Sequence, residues 1–424
     1  MTTRLFVIAA ACAATLGSQP GLASEKYCGY VDPDGALSKP AQTTRFASFN
    51  ASLNRFNEGD LISNLSTPDD PQAQAVAEII QRVNPDVLLV NEFDFDADGI
   101  AADLFRSNYL EVSQNGQAPV HYPHVFNAPS NTGIPSGQDL DNNGSVGGPG
   151  DAFGFGFFPG QFAMVLYSKY AIDEYRARTF QKFLWAAMPG ALLPDDPTTP
   201  EPGDWYSDEA LEVFRLSSKS HWDVPVNVCG ASVHVLASHP TPPVFDDFPP
   251  GVDFNGRRNH DEIRLWADYV GPRKGARYVV DDAGGRGGFR GKAFVIMGDQ
   301  NADPNDGDST NNAILQLLNN AAINSDLAPA SLGGFEASAR QNDLNDTHTG
   351  SPALDTGDFG DANPGNLRAD YVLPSHAGLD AVCGGVFWPQ ESDATFPLVG
   401  DNFALSSDHR LVWMDLRVRG AACY

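Results

Sequence analysis

The chain has 424 residues, 42% of them hydrophobic, and carries 54 acidic against 27 basic side chains for a formal net charge of −27. That length fills one large domain or two to three ordinary ones and buries a sizeable core. The acidic excess repels polyanions at long range, which argues against a protein that tracks duplex nucleic acid on a basic face, although a local groove or bound cation can reverse the field at one site.

Residues 4–16 form one apolar stretch behind Arg4, and Gly21-Leu22-Ala23 ahead of Ser24 reads as a small-residue cleavage pattern. This predicts a signal peptide over residues 1–23 and a secreted or periplasmic protein. No later segment approaches the ~20 apolar residues of a transmembrane helix. A tail rich in Asp, Pro and Gly covers 24–40. Beyond the leader, Cys28, Cys229, Cys383 and Cys423 are even in number, predicting disulfides whose three pairings stay open.

RFASFNASL (45–53) then reads as a strand giving way to Asn50. Residues 72–83 place Ala75, Val76, Ile79, Ile80 and Val83 at helical spacing, and Asn84-Pro85 stops the helix. DVLLVNEF (86–93) is a continuous apolar run suited to a strand buried on both faces, ending on Glu92. Further strands are predicted at 162–170, 232–239, 293–301, 369–375 and 409–418, with helices over 258–270 and 311–323. The Gly- and Pro-rich stretches 114–160, 190–225 and 330–368 read as long surface loops on one mixed α/β domain.

Polar residues gather at the ends of these runs. In Gly298-Asp299-Gln300-Asn301 a carboxylate and a carboxamide two apart can orient and deprotonate a water while donating to an anion; an Asx turn is the bland alternative. Asp408-His409 offers a cation ligand beside a proton-transfer group, and Asp370 can fix the tautomer of His409. Glu92 ends a buried strand, a costly place for an acid unless it meets a cation. Oxygen ligands favour magnesium, with manganese or calcium as substitutes, and Asn50 supplies a neighbouring amide. His239 lies in a proline-rigid turn. Arg257 and Arg258, ahead of a helix, either add positive charge facing a phosphate or pair with Asp261 or Glu262. Two segments repeat the oxygen spacing of calcium loops without its closing glutamate: Asp94, Asp96 and Asp98 in DFDADG, and Asp139, Asp141 and Asn143 in DLDNNG, where a structural Ca2+ is expected.

The ordered series SFN, NE, SHPTP, GDQN, ADYVLPS and SSDHR resembles the endonuclease/exonuclease/phosphatase superfamily, which includes deoxyribonucleases, sphingomyelinases and inositol phosphatases, from about Thr43 to Arg419. The resemblance implies a catalytic domain over 41–420 with a short tail at 421–424. Its fold would be a four-layer sandwich of two packed mixed β-sheets flanked by helices, with the active site at one end. It further implies that Glu92, Asn50 and Asp408 hold the divalent cation, and that Asp299 activates the attacking water. Asn301 would bind a phosphoryl oxygen, His409 paired with Asp370 would stabilise or protonate the phosphoryl group, and His239 would contact it from the other side. Asn91 stands where many members have Gln, and Gln300 replaces a common aromatic. The expected activity is hydrolysis of a phosphodiester (small diester, nucleic acid or lipid headgroup); the alternatives are a phosphomonoesterase of the same fold and a binding module without turnover. No protein partner is evident.

Overall fold

Apolar runs bounded by Asn, Gly and Pro become strands. In chain order these are β1 (Thr44–Asn50), β2 (Val87–Asn91), β3 (His124–Phe126), β4 (Met164–Ser168), β5 (Arg178–Thr179), β6 (His221–Val228), β7 (Ala231–Ser238), β8 (Ala293–Asp299), β9 (Gly357–Asp358), β10 (Asn366–Leu367), β11 (Asp370–Pro374), β12 (Leu379–Val386) and β13 (Val412–Val418). The computed structural model describes residues 37–246, 250–401 and 405–423. The predicted signal peptide, most of the predicted tail and Cys28 lie outside them.

Two mixed sheets form, in the orders β12-β13-β1-β2-β4-β3 and β11-β8-β7-β6-β5, with a small β10-β9 ribbon. The parallel neighbours β1/β2 and β7/β8 each need a crossover. The helix Pro71–Val83 supplies the first and the helix Phe254–Val270 the second. Pro71 opens the first helix, the Asp70 carboxylate accepts from Ala73 N–H, and Asn84 ends it in a left-handed conformation at φ 50°.

Alternation along β8 shows how the layers are held. Val295 and Met297 join the core between the two sheets, while Phe294 and Ile296 face the other way and pack with Ile263, Trp266 and Tyr269 of the helix Phe254–Val270. On the far side Val76, Ile79, Ile80 and Val83 cover the first sheet. Each such large apolar side chain contributes about 1.5–3 kcal/mol when buried. Helix, sheet, sheet and helix thus make the expected four layers.

Two local expectations differ. Over 311–323 only Leu315–Leu318 is α-helical, because Asn311 and Asn312 adopt φ of 51° and 50° and the Asn320 side chain turns the chain by accepting from Ala322 N–H. The stretches 114–160 and 190–225 are not wholly surface loops. Leu140, Phe153, Trp205, Tyr206, Phe214 and Leu216 are buried in the second core cluster, and the latter stretch runs into β6, while 330–368 likewise holds the helix Leu332–Gln341 and the β10-β9 ribbon.

Cys229, in the turn between β6 and β7, forms a disulfide with Cys423 across a Cα separation of 5.3 Å. Cys383 is likewise disulfide-bonded.

Candidate active site

Strand direction gathers the site. β1, β2, β7 and β8 finish at one edge of the sandwich, delivering Asn50, Glu92, His239 and Asp299. β11 runs the opposite way and begins there, with Asp370 directly opposite Asp299 in the ladder. Asp408 and His409 immediately precede β13, which is antiparallel to β1. The two sheets therefore meet through polar side chains at this edge.

Asn50 is fully buried and bridges the sheets, its side-chain amide donating to Glu92 Oε1 at 3.1 Å and to Asp299 Oδ2 at 3.1 Å. Glu92 Oε2 also accepts from Asn54 at 2.9 Å and lies 3.4 Å from Ser52 Oγ, which in turn lies 3.5 Å from Asp408 Oδ1. Glu92 itself is held at φ 58°, a left-handed backbone that a non-glycine residue keeps only when its surroundings fix it.

Asp299 Oδ2 is 3.3 Å from His239 Nε2 and 3.7 Å from His409 Nε2, while its Oδ1 accepts from Asn301 N–H at 2.8 Å. His409 Nδ1 lies 2.8 Å from Asp370 Oδ2, which also accepts from Thr356 Oγ1 at 2.9 Å. Asn301, at φ 50°, donates from its amide to the Pro240 carbonyl.

Burial raises the Asp299 carboxyl to about 7, with the His409 charge pulling down and Asp370 pushing up. For His409 burial opposes the charged form, yet Asp370 and Asp299 outweigh it and hold the imidazole well above its ordinary value. His239 goes the other way: burial, then Lys219 and His409, keep it well below that value. One histidine is thus built to carry a proton and the other to stay neutral.

Lys219 is a residue that strand and motif reading missed. It is buried, and desolvation lowers its pKa against the pull of Glu262, Glu92 and Asp299, which places an ammonium beside the acidic cluster. Its only sequence signal is a lysine among serines ahead of HWDVPVNV. Ser52 and Asn54 were missed too, being short polar residues after a strand end.

Among the remaining expected residues, Arg258 is buried and donates to the carbonyls of Leu216, Phe153 and Arg215, bracing the loop under the Phe214 ring. Arg257 is half-buried and lies 3.9 Å from Asp253. Neither is joined to the cluster by a described contact. Glu262 instead accepts from Ser218 and Thr241 N–H, and Asp261 from the Trp185 indole.

In DLDNNG, Asp139 and Asp141 approach Asp151, while Asn143 Oδ1 accepts from Ser145 N–H. Asp151 takes the backbone N–H groups of Leu140 and Gly147, so the loop closes on its own donors. In DFDADG, Asp94 accepts from Arg55 and Phe162 N–H, and Asp96 from Ile100 and Ala101 N–H.

The donor set fits a hard divalent cation. Glu92, Asp408 and the Asn50 amide are oxygen groups of the kind such ions take, and Asp299, Asp370 and His409 converge within one ion's reach beside them. Asp370 Oδ1 and His239 Nδ1 are buried with no hydrogen-bond partner among the described residues.

Among solved structures the chain is similar to an endonuclease/exonuclease/phosphatase from Beutenbergia cavernae, at 18% identity over 90% of this chain and 73% of that one with a TM-score of 0.46. It is also similar to beta toxin from Staphylococcus aureus, at 16% identity over 88% of this chain and 99% of that one with a TM-score of 0.41. Sphingomyelinase C from Streptomyces griseocarneus matches at 14% identity over 88% of this chain and 99% of that one, TM-score 0.40. No curated protein matches. The sequence model of the Endonuclease/Exonuclease/phosphatase family matches residues 47–409, taking in every residue of the cluster from Asn50 to His409, and the chain belongs to that family.

Proposed function

We propose that the chain is an exported, divalent-cation-dependent hydrolase of phosphodiesters, with Asp299 as the base for the attacking water. The observation that carries this is the placing of Asp299 Oδ2 within 3.3–3.7 Å of both histidines, one of them held by Asp370. Members of the family are metal-dependent phosphoester hydrolases. The apolar leader supports export; no helix among the described residues is long and apolar enough to cross a membrane.

Glu92, Asn50 and Asp408 would hold the cation, which when bound supplies charge neutralisation at phosphorus. Everything else falls to the chain. Asp299, lifted to about 7 by burial, takes a proton from water near neutral pH. Asn50 and Asn301 N–H orient its two oxygens. His409, kept protonated by Asp370, faces the phosphoryl oxygens as a charged donor, and neutral His239 offers Nε2 from the opposite side. Lys219 adds a second positive charge behind the cluster.

The test is hydrolysis by the purified chain of bis-p-nitrophenyl phosphate, p-nitrophenyl phosphate, DNA, RNA and sphingomyelin, each with magnesium, manganese, calcium or chelator. Chelator-sensitive turnover of a diester that disappears in Asp299→Asn and His409→Ala is expected. Preference for p-nitrophenyl phosphate would move the reading to a monoesterase, and turnover unchanged in both variants would overturn the assigned roles.

A further inference from the structure

The opposite end of the sandwich carries the reverse charge. A cleft of about 630 Å³ opens where β7 and β8 begin and β13 ends, and six of the chain's 27 lysines and arginines line it: Arg176, Arg178, Arg286, Arg290, Lys292 and Arg419. Asp223 and Asp281 are its acidic lining. In a chain of net charge −27, six cations against two acidic side chains in one lining make a local positive excess that attracts an anion.

Three of the six are tethered, Arg176 to Asp173, Arg178 to Asp281 and Arg419 to Asp380. Arg286, Arg290 and Lys292 are exposed and have no carboxylate partner among the described residues. They sit on Gly284-Gly285-Arg286-Gly287-Gly288-Phe289-Arg290-Gly291-Lys292, where five glycines leave the backbone open between the charges. The segment is nonetheless fixed. Arg178 donates to the Gly285 and Gly287 carbonyls, Asp281 accepts from Gly285 N–H, and Phe289 N–H reaches the Tyr269 carbonyl. Arg176 and Ser232 are shared with a second cleft, lined also by Asp173 and Glu174, at whose rim Tyr175 stands 98% exposed.

We propose that these joined clefts bind single-stranded nucleic acid, the cations of the glycine-rich segment taking backbone phosphates and Tyr175 stacking on a base. A positive groove with an open aromatic face is the arrangement that holds single strands without reading sequence. The site is separate from the catalytic cluster, since the seven residues of β8 from Ala293 to Asp299 put about 20 Å between them. It does not rest on the proposed hydrolysis.

The test is fluorescence anisotropy of a labelled oligothymidylate of about twelve nucleotides, in chelator so that no turnover is required. Binding is expected to weaken tenfold or more in R286S/R290S/K292S and several-fold in Tyr175→Ala. Neutralising about three phosphates releases their counterions and gives a slope of about −2 for log affinity against log salt. The triple variant should keep the parent's circular dichroism and its hydrolysis of bis-p-nitrophenyl phosphate, and Asp299→Asn should bind the oligonucleotide like the parent. Equal binding by the triple variant and the parent would overturn the proposal. So would arginine-dependent capture of phosphatidylserine vesicles with no binding of the oligonucleotide, which would make the cleft a lipid-surface site.

Discussion

Asn50→Asp is the most informative single change at the candidate active site. It puts a carboxylate oxygen where an amide nitrogen now lies 3.1 Å from Glu92 Oε1 and 3.1 Å from Asp299 Oδ2. At that spacing two unit charges repel by about 5 kcal/mol at an effective dielectric of 20. Protonation limits the penalty, because forcing one carboxyl to stay neutral at pH 7 costs about 1.4 kcal/mol for each unit its pKa must rise. Three units of such a rise give about 4 kcal/mol, before the two lost hydrogen bonds. In chelator the urea midpoint of the variant should therefore fall by the equivalent of about 4 kcal/mol. Magnesium should restore more stability to the variant than it adds to the parent, since a cation among three carboxylates binds the folded state more tightly. An unchanged midpoint in chelator, or an equal magnesium effect on both proteins, would show that Asn50, Glu92 and Asp299 do not converge as described.

Three further outcomes are expected. Asp370→Asn removes the carboxylate 2.8 Å from His409 Nδ1, so the imidazolium loses its proton at lower pH; the alkaline limb of kcat/KM should move to lower pH, and a stationary limb would separate Asp370 from the proton on His409. His221 is buried and neutral, with burial lowering it from 6.5 to about 4. The unfolded chain binds the extra proton between those values, so stability complete above pH 6.5 should be lost toward pH 4 by up to about 3 kcal/mol, and urea midpoints of His221→Gln should show a shallower loss. Replacing both Cys229 and Cys423 by serine, which opens a bond spanning 194 residues, should destabilise by about 2–4 kcal/mol in denaturant titrations.

What the sequence made legible follows from burial. β2 and β8 lie between two apolar layers, so VLLVN and AFVIMGD are nearly continuous apolar runs whose first polar residue marks the edge where chemistry sits. β6 is different. Trp222, Val224 and Val226 are buried there, but Asp223 pairs with His234 and accepts from the Tyr269 hydroxyl, and Pro225 has no N–H to give. Its pattern reads as loop because its polar positions are satisfied by residues distant in sequence. The aromatic second core has the same cause. Trp185, Trp205 and Phe214 pack from one 3-10 turn and irregular backbone, with no period to reveal them. Lys219 was hidden for a third reason: a lone lysine is ordinarily solvated, and only the fold brings it under Glu92 and Asp299.

Charge ties the two ends together. At the candidate active site Glu92, Asp299, Asp370 and Asp408 face Lys219, one charged histidine and one neutral histidine, so four acidic side chains meet fewer positive ones. A site with that imbalance binds an anion poorly until a cation enters it, which gives the proposed metal dependence a physical reason independent of any relative. The cleft at the other end has the opposite imbalance and needs no metal to receive an anion. Chelator should therefore separate the two proposed functions, abolishing hydrolysis at one edge while leaving strand binding at the other intact.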